Sequence, residues 1–178
     1  MRKIVLTFGL IAGAILSAMM VITLPFHDQI GFDKSLIIGY TTMVLAFLMV
    51  FFGVKSYRDN VAGGNVTFGR AFTVGLLITA VASVCYVATW EVVYYRFAPD
   101  YLEKYGAYTV EKMRKSGASD AEILAKTKEM AEFSETYKNP LVNIAYTLLE
   151  PLPVGILFTL VTAGVLSRKR RPEVASLA

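Results

Sequence analysis

Apolar residues in this chain fall into four long blocks, and the charged residues collect between the blocks instead of alternating with them. A soluble core would show a helical or strand period, so the blocking itself decides the class. A membrane helix needs about 20 apolar residues, rising 1.5 Å each, to cross about 30 Å of hydrocarbon. Residues Ile4–Leu24 meet this and end at Pro25; Leu36–Val54 follow, stopped by Lys55. The third block runs from Ala71 to Tyr95, at the Tyr94-Tyr95-Arg96 boundary, and the fourth spans Leu141–Leu166 before Arg168-Lys169-Arg170-Arg171. The pattern predicts an all-α membrane protein with four transmembrane helices in a four-helix bundle, residues 1–178 forming a single membrane domain.

Lysine and arginine set the expected orientation, because they are retained on the cytoplasmic side. Arg2 and Lys3 precede the first block, Lys55, Arg58 and Arg70 lie in the second connection, and the basic tail follows the fourth. With four spans these three regions share one side, so an N-in/C-in topology is predicted. The first connection carries Lys34 against Asp28 and Asp33. The long connection Arg96–Asn139 holds eight basic and eight acidic residues, a balance that permits translocation.

Residues 97–139 read as an extracytoplasmic helical hairpin inserted between helices 3 and 4. Pro99 suits a first helical position and Gly117 the residue just past a helix end. Ser119-x-x-Glu122 is a capping-box pattern opening a second helix, and Asn139-Pro140 caps the start of the fourth span. One weak apolar stripe joins Tyr101, Leu102, Tyr105, Thr109 and Met113; another joins Ile123, Thr127, Met130, Ser134 and Tyr137. The stripes serve either to pack the hairpin on itself or the membrane surface, or to bind a partner. In the other connection, Ser56–Gly69, Gly63-Gly64 reads as a flexible turn without a phosphate-binding pattern.

Composition refines this picture modestly. Hydrophobic residues make up 55% of the 178, and the net charge of +4 sits at the ends of apolar segments, not in a nucleic-acid-binding patch. Cys85 is the sole cysteine, expected as a small buried hydrophobe. The uncharged stretch after Arg2-Lys3 is longer than the ~7–15 residues of a signal peptide's apolar region, so it is expected to stay as a membrane anchor. His27 with Asp28 and Asp33 makes a poor metal set and reads as a solvated interfacial loop. The chain carries no catalytic triad pattern, no HExxH and no nucleotide loop, and calls for no cofactor or metal.

Two acids stand inside apolar blocks, Glu91 and Glu150. An ionisable group at membrane depth usually faces the interior or a wet cavity. Glu91 lies in Thr89-Trp90-Glu91 near the outer end of the third span, with Tyr94 and Tyr95 forming an interfacial aromatic belt. Glu150 lies ten residues past Pro140, about 15 Å along the helix. Pro151 and Pro153 follow at once; each lacks an amide hydrogen, so the helix is expected to kink or break there. Such a break serves either as a plain kink or as a transporter-like binding element. Glu150 is expected neutral and hydrogen-bonded, with Tyr86, Tyr146 and Thr147 as partners, and sharing one polar cluster with Glu91. Small residues also recur at helical spacing: Gly9, Gly13 and Ser17; Gly75, Thr79 and Ser83; Gly155, Thr159 and Ala163. They permit close helix packing within the chain or in a homo-oligomer.

Several segments together resemble the DUF4199 family of bacterial membrane proteins, a domain of unknown function. They are Arg2-Lys3-Ile4-Val5-Leu6-Thr7 with Gly9 to Gly13, Ile38 to Met43, Phe52 to Asp59, Thr67 to Phe72, Ala88-Thr89-Trp90-Glu91 and Glu150 to Gly155. The resemblance covers nearly the whole chain. It implies a bacterial inner-membrane setting and four helices, and it supplies no reaction, ligand or partner. The leading reading is a non-enzymatic accessory or structural membrane protein whose outer hairpin contacts a partner, since four helices leave little room for an enclosed pathway. The alternative is a small oligomeric transporter or proton-coupled carrier using Glu91 and Glu150. A polar cavity reaching Glu150 from outside would favour the alternative.

Overall fold

The computed structural model of the chain describes residues 1–168, apart from the side chains of Pro25, His27 and Asp28. Lys169, Arg170 and Arg171 of the basic tail, and the His27 and Asp28 side chains of the weak metal set, therefore lie outside the described residues. Helix α1 spans Arg2–Thr23 and leads through a 3₁₀ turn (Leu24–Phe26) and the short α2 (His27–Ile30) into α3 (Phe32–Asn60). Next come α4 (Phe68–Arg96), α5 (Tyr101–Lys115), α6 (Asp120–Tyr137), α7 (Pro140–Leu148) and α8 (Pro151–Leu166). Four helical segments are long and apolar enough to cross a membrane: α1, α3, α4 and the stretch Pro140–Leu166, which α7 and α8 share.

The long helices outrun the apolar blocks. α3 continues through Lys55 to Asn60 and α4 begins at Phe68, so the connection expected over Ser56–Gly69 shrinks to residues 61–67. Hydropathy marks where a chain meets hydrocarbon, whereas backbone hydrogen bonding carries a helix on into polar surroundings. The Ala62 amide returns to the Tyr57 carbonyl at 3.0 Å, and Gly63 and Gly64 turn the chain with φ of +67° and +87°. Thr67 then caps α4 by accepting from the Arg70 amide at 3.4 Å.

Small residues let the helices meet closely. α1 lies against α3 and α4, and α8 lies against α3 and α4 on the other side. Gly9 faces Val81 and Gly13 faces Cys85, so near that a Cβ on either glycine would stand 2.6 Å from its neighbour's Cβ. Ser17 extends this seam, its hydroxyl accepting from Thr89 Oγ1 at 2.7 Å. Cys85 is half-buried on the seam, more open than a core cysteine. Between α4 and α8, Thr79 Oγ1 donates to the Gly155 carbonyl at 3.3 Å and lies 3.3 Å from Thr159 Oγ1. Both threonines are fully buried, and Gly75 meets Thr159 on the same seam.

Helices α5 and α6 form the hairpin between the third and fourth spans, Gly106 of α5 meeting Met130 of α6. Ser119 and Glu122 make the capping box, and Gly117 closes α5 with φ of +82°. Pro99 departs from its expected place. α5 opens at Tyr101, and the Tyr101 amide bonds to the Ala98 carbonyl at 3.1 Å. Pro99 is thus the second residue of a tight turn, where its fixed φ is equally welcome. Of the two stripes, Leu102 and Tyr137 are buried, whereas Thr127 stays exposed. Asp33, at the start of α3, accepts from Lys112 of α5 at 2.8 Å, tying the hairpin to the first connection. Asp33 therefore serves as a tether.

The seams carry a direct test. A side chain at Gly155 would collide with the Thr79 methyl and the Phe47 ring, while one at Gly69 meets nothing within 4 Å. Gly155→Val should lower stability by about 1–3 kcal/mol through overpacking, and Gly69→Ala should not lower it. The readout is the thermal unfolding midpoint of the purified chain in detergent. Equal midpoints for the two variants would reject the close α4–α8 approach.

Candidate functional site

The break in the last span creates the corner on which the site is built. With no amide hydrogen on Pro151 or Pro153, the helical ladder cannot continue through residues 149–153. The chain tightens instead: the Leu149 amide donates to the Tyr146 carbonyl at 3.0 Å, and the Glu150 amide to the Thr147 carbonyl at 3.4 Å. α7 ends at Leu148, α8 starts at Pro151, and Glu150 occupies the corner. There the Tyr86 hydroxyl of α4 donates to Glu150 Oε2 at 2.5 Å. Tyr86 is buried, and Glu150 is exposed.

Glu150 opens onto a cavity of about 520 Å³. Its walls come from the end of α1, the start of α3, the end of α4, both hairpin helices, α7 and the corner. Aromatic rings dominate, with Trp90, Tyr101, Tyr105, Phe133, Tyr137 and Tyr146 prominent among them. Among the described lining residues, Glu150 is the sole one that can carry a charge near neutral pH. The volume lies within the range of about 300–1,000 Å³ common for small-molecule sites.

A second set of hydrogen bonds braces the hairpin against the spans. Trp90 Nε1–H donates to the Tyr137 hydroxyl at 3.0 Å, and the Tyr137 hydroxyl lies 3.2 Å from Thr147 Oγ1. Thr147 in turn donates to Asn143 Oδ1 at 3.1 Å. A threonine hydroxyl has one hydrogen, so Tyr137 must be the donor to Thr147 and the chain runs in one direction. Trp90 and Tyr101 meet edge to face, 5.0 Å between ring centres. Burial, then the neighbouring Glu150 carboxylate, pushes the Tyr101 phenol up to about 12. Burial also pushes the Tyr137 phenol up.

The structure thus gathers Glu150, Tyr86, Tyr146 and Thr147 around one cavity, with different roles. Tyr86 bonds the carboxyl directly, and Thr147 braces Tyr137. Tyr146 packs its ring 5.1 Å from Phe133 and makes no hydrogen bond to Glu150 among the described residues. Glu91 stands apart from this group. Five residues beyond Tyr86, it is turned about 140° round α4. It does not line the cavity, and its Oε1 is buried without a hydrogen-bond partner among the described residues. The two acids expected in one cluster are therefore separated by the helical rotation between them.

Sequence reasoning left out the hairpin's share of the walls. Tyr101, Tyr105 and Tyr137 belong to the amphipathic stripes and also line the cavity, and Phe133, outside both stripes, lines it with them. The available signal was the crowding of aromatics at the hairpin's two junctions with the spans. Trp90, next to the acid singled out, is the residue that faces the cavity.

The brace is open to measurement. Tyr137→Phe strips Trp90 of its acceptor and Thr147 of its donor inside the protein, a loss of about 1–3 kcal/mol. Tyr95→Phe removes only an exposed bond to the Lys138 carbonyl and should cost a few tenths of that. Thermal midpoints in detergent, read by the fluorescence of Trp90, the chain's single tryptophan, separate the two. Equal shifts would discount the brace.

No curated protein and no solved structure matches the chain. A family model does match, over residues 7–168, and its family is described as a protein of unknown function. With the match running from the first span to the end of the last, the chain belongs to the DUF4199 family.

Proposed function

We propose that this chain is a multi-pass protein of the bacterial inner membrane, with both termini cytoplasmic and residues 97–139 outside as a hairpin insertion. We further propose that it works as a small carrier, taking an amphipathic molecule into the cavity beneath the hairpin. One observation supports this above the others: the carboxyl of Glu150, held by Tyr86 at a broken helix, opens onto a cavity large enough for a ligand. Broken helices with polar groups at the discontinuity are where transporters bind substrates and coupling ions. A carboxyl placed there can hold a proton or a ligand. Glu91 lies away from the cavity, so Glu150 alone is assigned that role.

An accessory role, with the hairpin as a partner-binding arm, is the other reading of the sequence. The geometry gives the hairpin work inside its own chain, as a wall of the cavity, and this favours the carrier. Homo-oligomerisation through the spans is part of the carrier reading, because four helices alone enclose little.

Two measurements test the proposal. In proteoliposomes carrying an internal pH dye, a panel of amphipathic compounds should evoke proton movement through the wild-type chain. Glu150→Gln, folded to the same thermal midpoint, should lose that response by tenfold or more. Identical traces for the two proteins would remove Glu150 from any coupling role. For orientation, Cys85→Ser carrying single cysteines at Ser56 or Ser116 should react differently with an impermeant maleimide added to intact cells. Ser116→Cys is expected to label and Ser56→Cys is not; the reverse pattern would invert the topology.

A further inference from the structure

Resting on the ligand-binding reading above, we infer that the cavity takes an organic cation, an ammonium or quaternary ammonium group carried on an apolar body. Charge comes first. The cavity wall offers a single ionisable carboxyl and no lysine, arginine or histidine among the described lining residues. A phosphate, carboxylate or sulfonate ligand would face that acid with no compensating charge. A neutral lipid tail would leave it without a counter-ion.

Ring geometry points the same way. Glu150 is bonded to Tyr86 and lines the same cavity as Tyr101 and Tyr137. Trp90 completes the group, its indole bonded to the Tyr137 hydroxyl at 3.0 Å and edge to face with Tyr101. Aromatic faces carry negative potential and attract cations within about 6 Å of the ring centre, tryptophan best of all. The hydrogen bonds of Trp90, Tyr86 and Tyr137 fix these rings through their edges. Glu150 Oε2 is occupied by Tyr86, and Oε1 accepts no hydrogen bond among the described residues. One carboxylate oxygen is thus left for a ligand beside an aromatic cage, and methionines 19, 20 and 43 with Leu36 supply an apolar remainder.

The carboxyl can hold a proton or neutralise the bound cation, and one excludes the other. Cation entry therefore releases the proton, and cation departure lets it return. That competition couples the ligand to proton movement with no further group.

The same chemistry is offered by a free amine in the periplasm and by the ammonium headgroup of phosphatidylethanolamine, and one experiment can distinguish them. The full chain in dodecyl maltoside is titrated with benzyltrimethylammonium and with its neutral isostere neopentylbenzene, following Trp90 fluorescence and heat. Wild type should bind the cation about tenfold or more tightly than the isostere. In Glu150→Gln that preference should fall to within about twofold, with isostere binding retained. Gly39→Phe should abolish both, because Gly39 lines the cavity and an added Cβ there has nothing within 4 Å, leaving room for the ring to fill the space. Equal affinity for the two probes in wild type, or a preference that survives Glu150→Gln, would overturn the cation assignment and leave the cavity reading intact. Absence of binding by either probe, unchanged by Gly39→Phe, would overturn both. In nanodiscs of fixed phosphatidylglycerol content, a drop in cation affinity when phosphatidylethanolamine replaces an uncharged glycolipid identifies the headgroup as the source. Unchanged affinity identifies the free amine.

Discussion

The contact between α4 and α8 at Thr79, Gly155 and Thr159 fixes where everything else in the protein can be. Lipid tails are as apolar as leucine, so a membrane helix pair gains little from hydrophobicity and must gain from close packing and hydrogen bonds. Here a threonine hydroxyl reaches the backbone of the neighbouring helix at 3.3 Å, which is feasible because residue 155 has no side chain. That contact sets the register between two helices. Tyr86 lies seven residues along α4 from Thr79, and Glu150 lies five residues back from Gly155. The same offset that lets Thr79 touch Gly155 brings the phenol to the carboxyl.

A proline pair beside such a seam has a definite effect. α8 is pinned from Gly155 onward, so the freedom created by Pro151 and Pro153 appears on the other side, in how α7 leaves the corner. α7 is then held by Asn143 and Thr147 through Tyr137, a hairpin residue. The last span is therefore two pieces: α8 packs on α3 and α4, while α7 packs on α4 and on the hairpin helix α6. Glu150 sits at the joint between them, bonded to Tyr86 of α4.

Much of this was legible in the sequence, for physical reasons that can be named. The spans are visible because hydrocarbon tolerates few charges over about 20 residues, and the break at 150–153 because proline lacks a donor. Ser119 and Glu122 announce a helix start because capping is local. The cavity was invisible because it depends on which faces of distant segments meet, and the hairpin stripes do not say what they cover. The separation of Glu91 from Glu150 was partly within reach. Depth along the helices suggests their pairing, and rotation about the axis, about 140° between residues 86 and 91, decides against it. Depth and azimuth are independent coordinates on a helix, and hydropathy reports on the first.

The two sides of the cavity differ in how firmly they are held. On the span side, the seams of α4 with α1 and α8 are close-packed around fully buried residues such as Phe47, Ile78 and Thr79. On the hairpin side, the closures include an exposed Lys112–Asp33 pair, ring contacts of Phe32 with Tyr101 and Tyr105, the Trp90–Tyr137–Thr147 bonds, and a small buried cluster of Tyr94, Leu102 and Tyr137. Exposed ion pairs contribute at most about 1 kcal/mol, and aromatic edge contacts about as much. Displacing the spans would disrupt the larger packed interior, while displacing the hairpin would break these contacts and its smaller buried cluster. The turns at residues 97–100 and 138–139 give it short hinges at either end. α7 is tied to the hairpin through the Tyr137–Thr147 bond. Any such motion pulls directly on the joint that carries the carboxyl. The position of the hairpin and the surroundings of Glu150 are in this way mechanically linked.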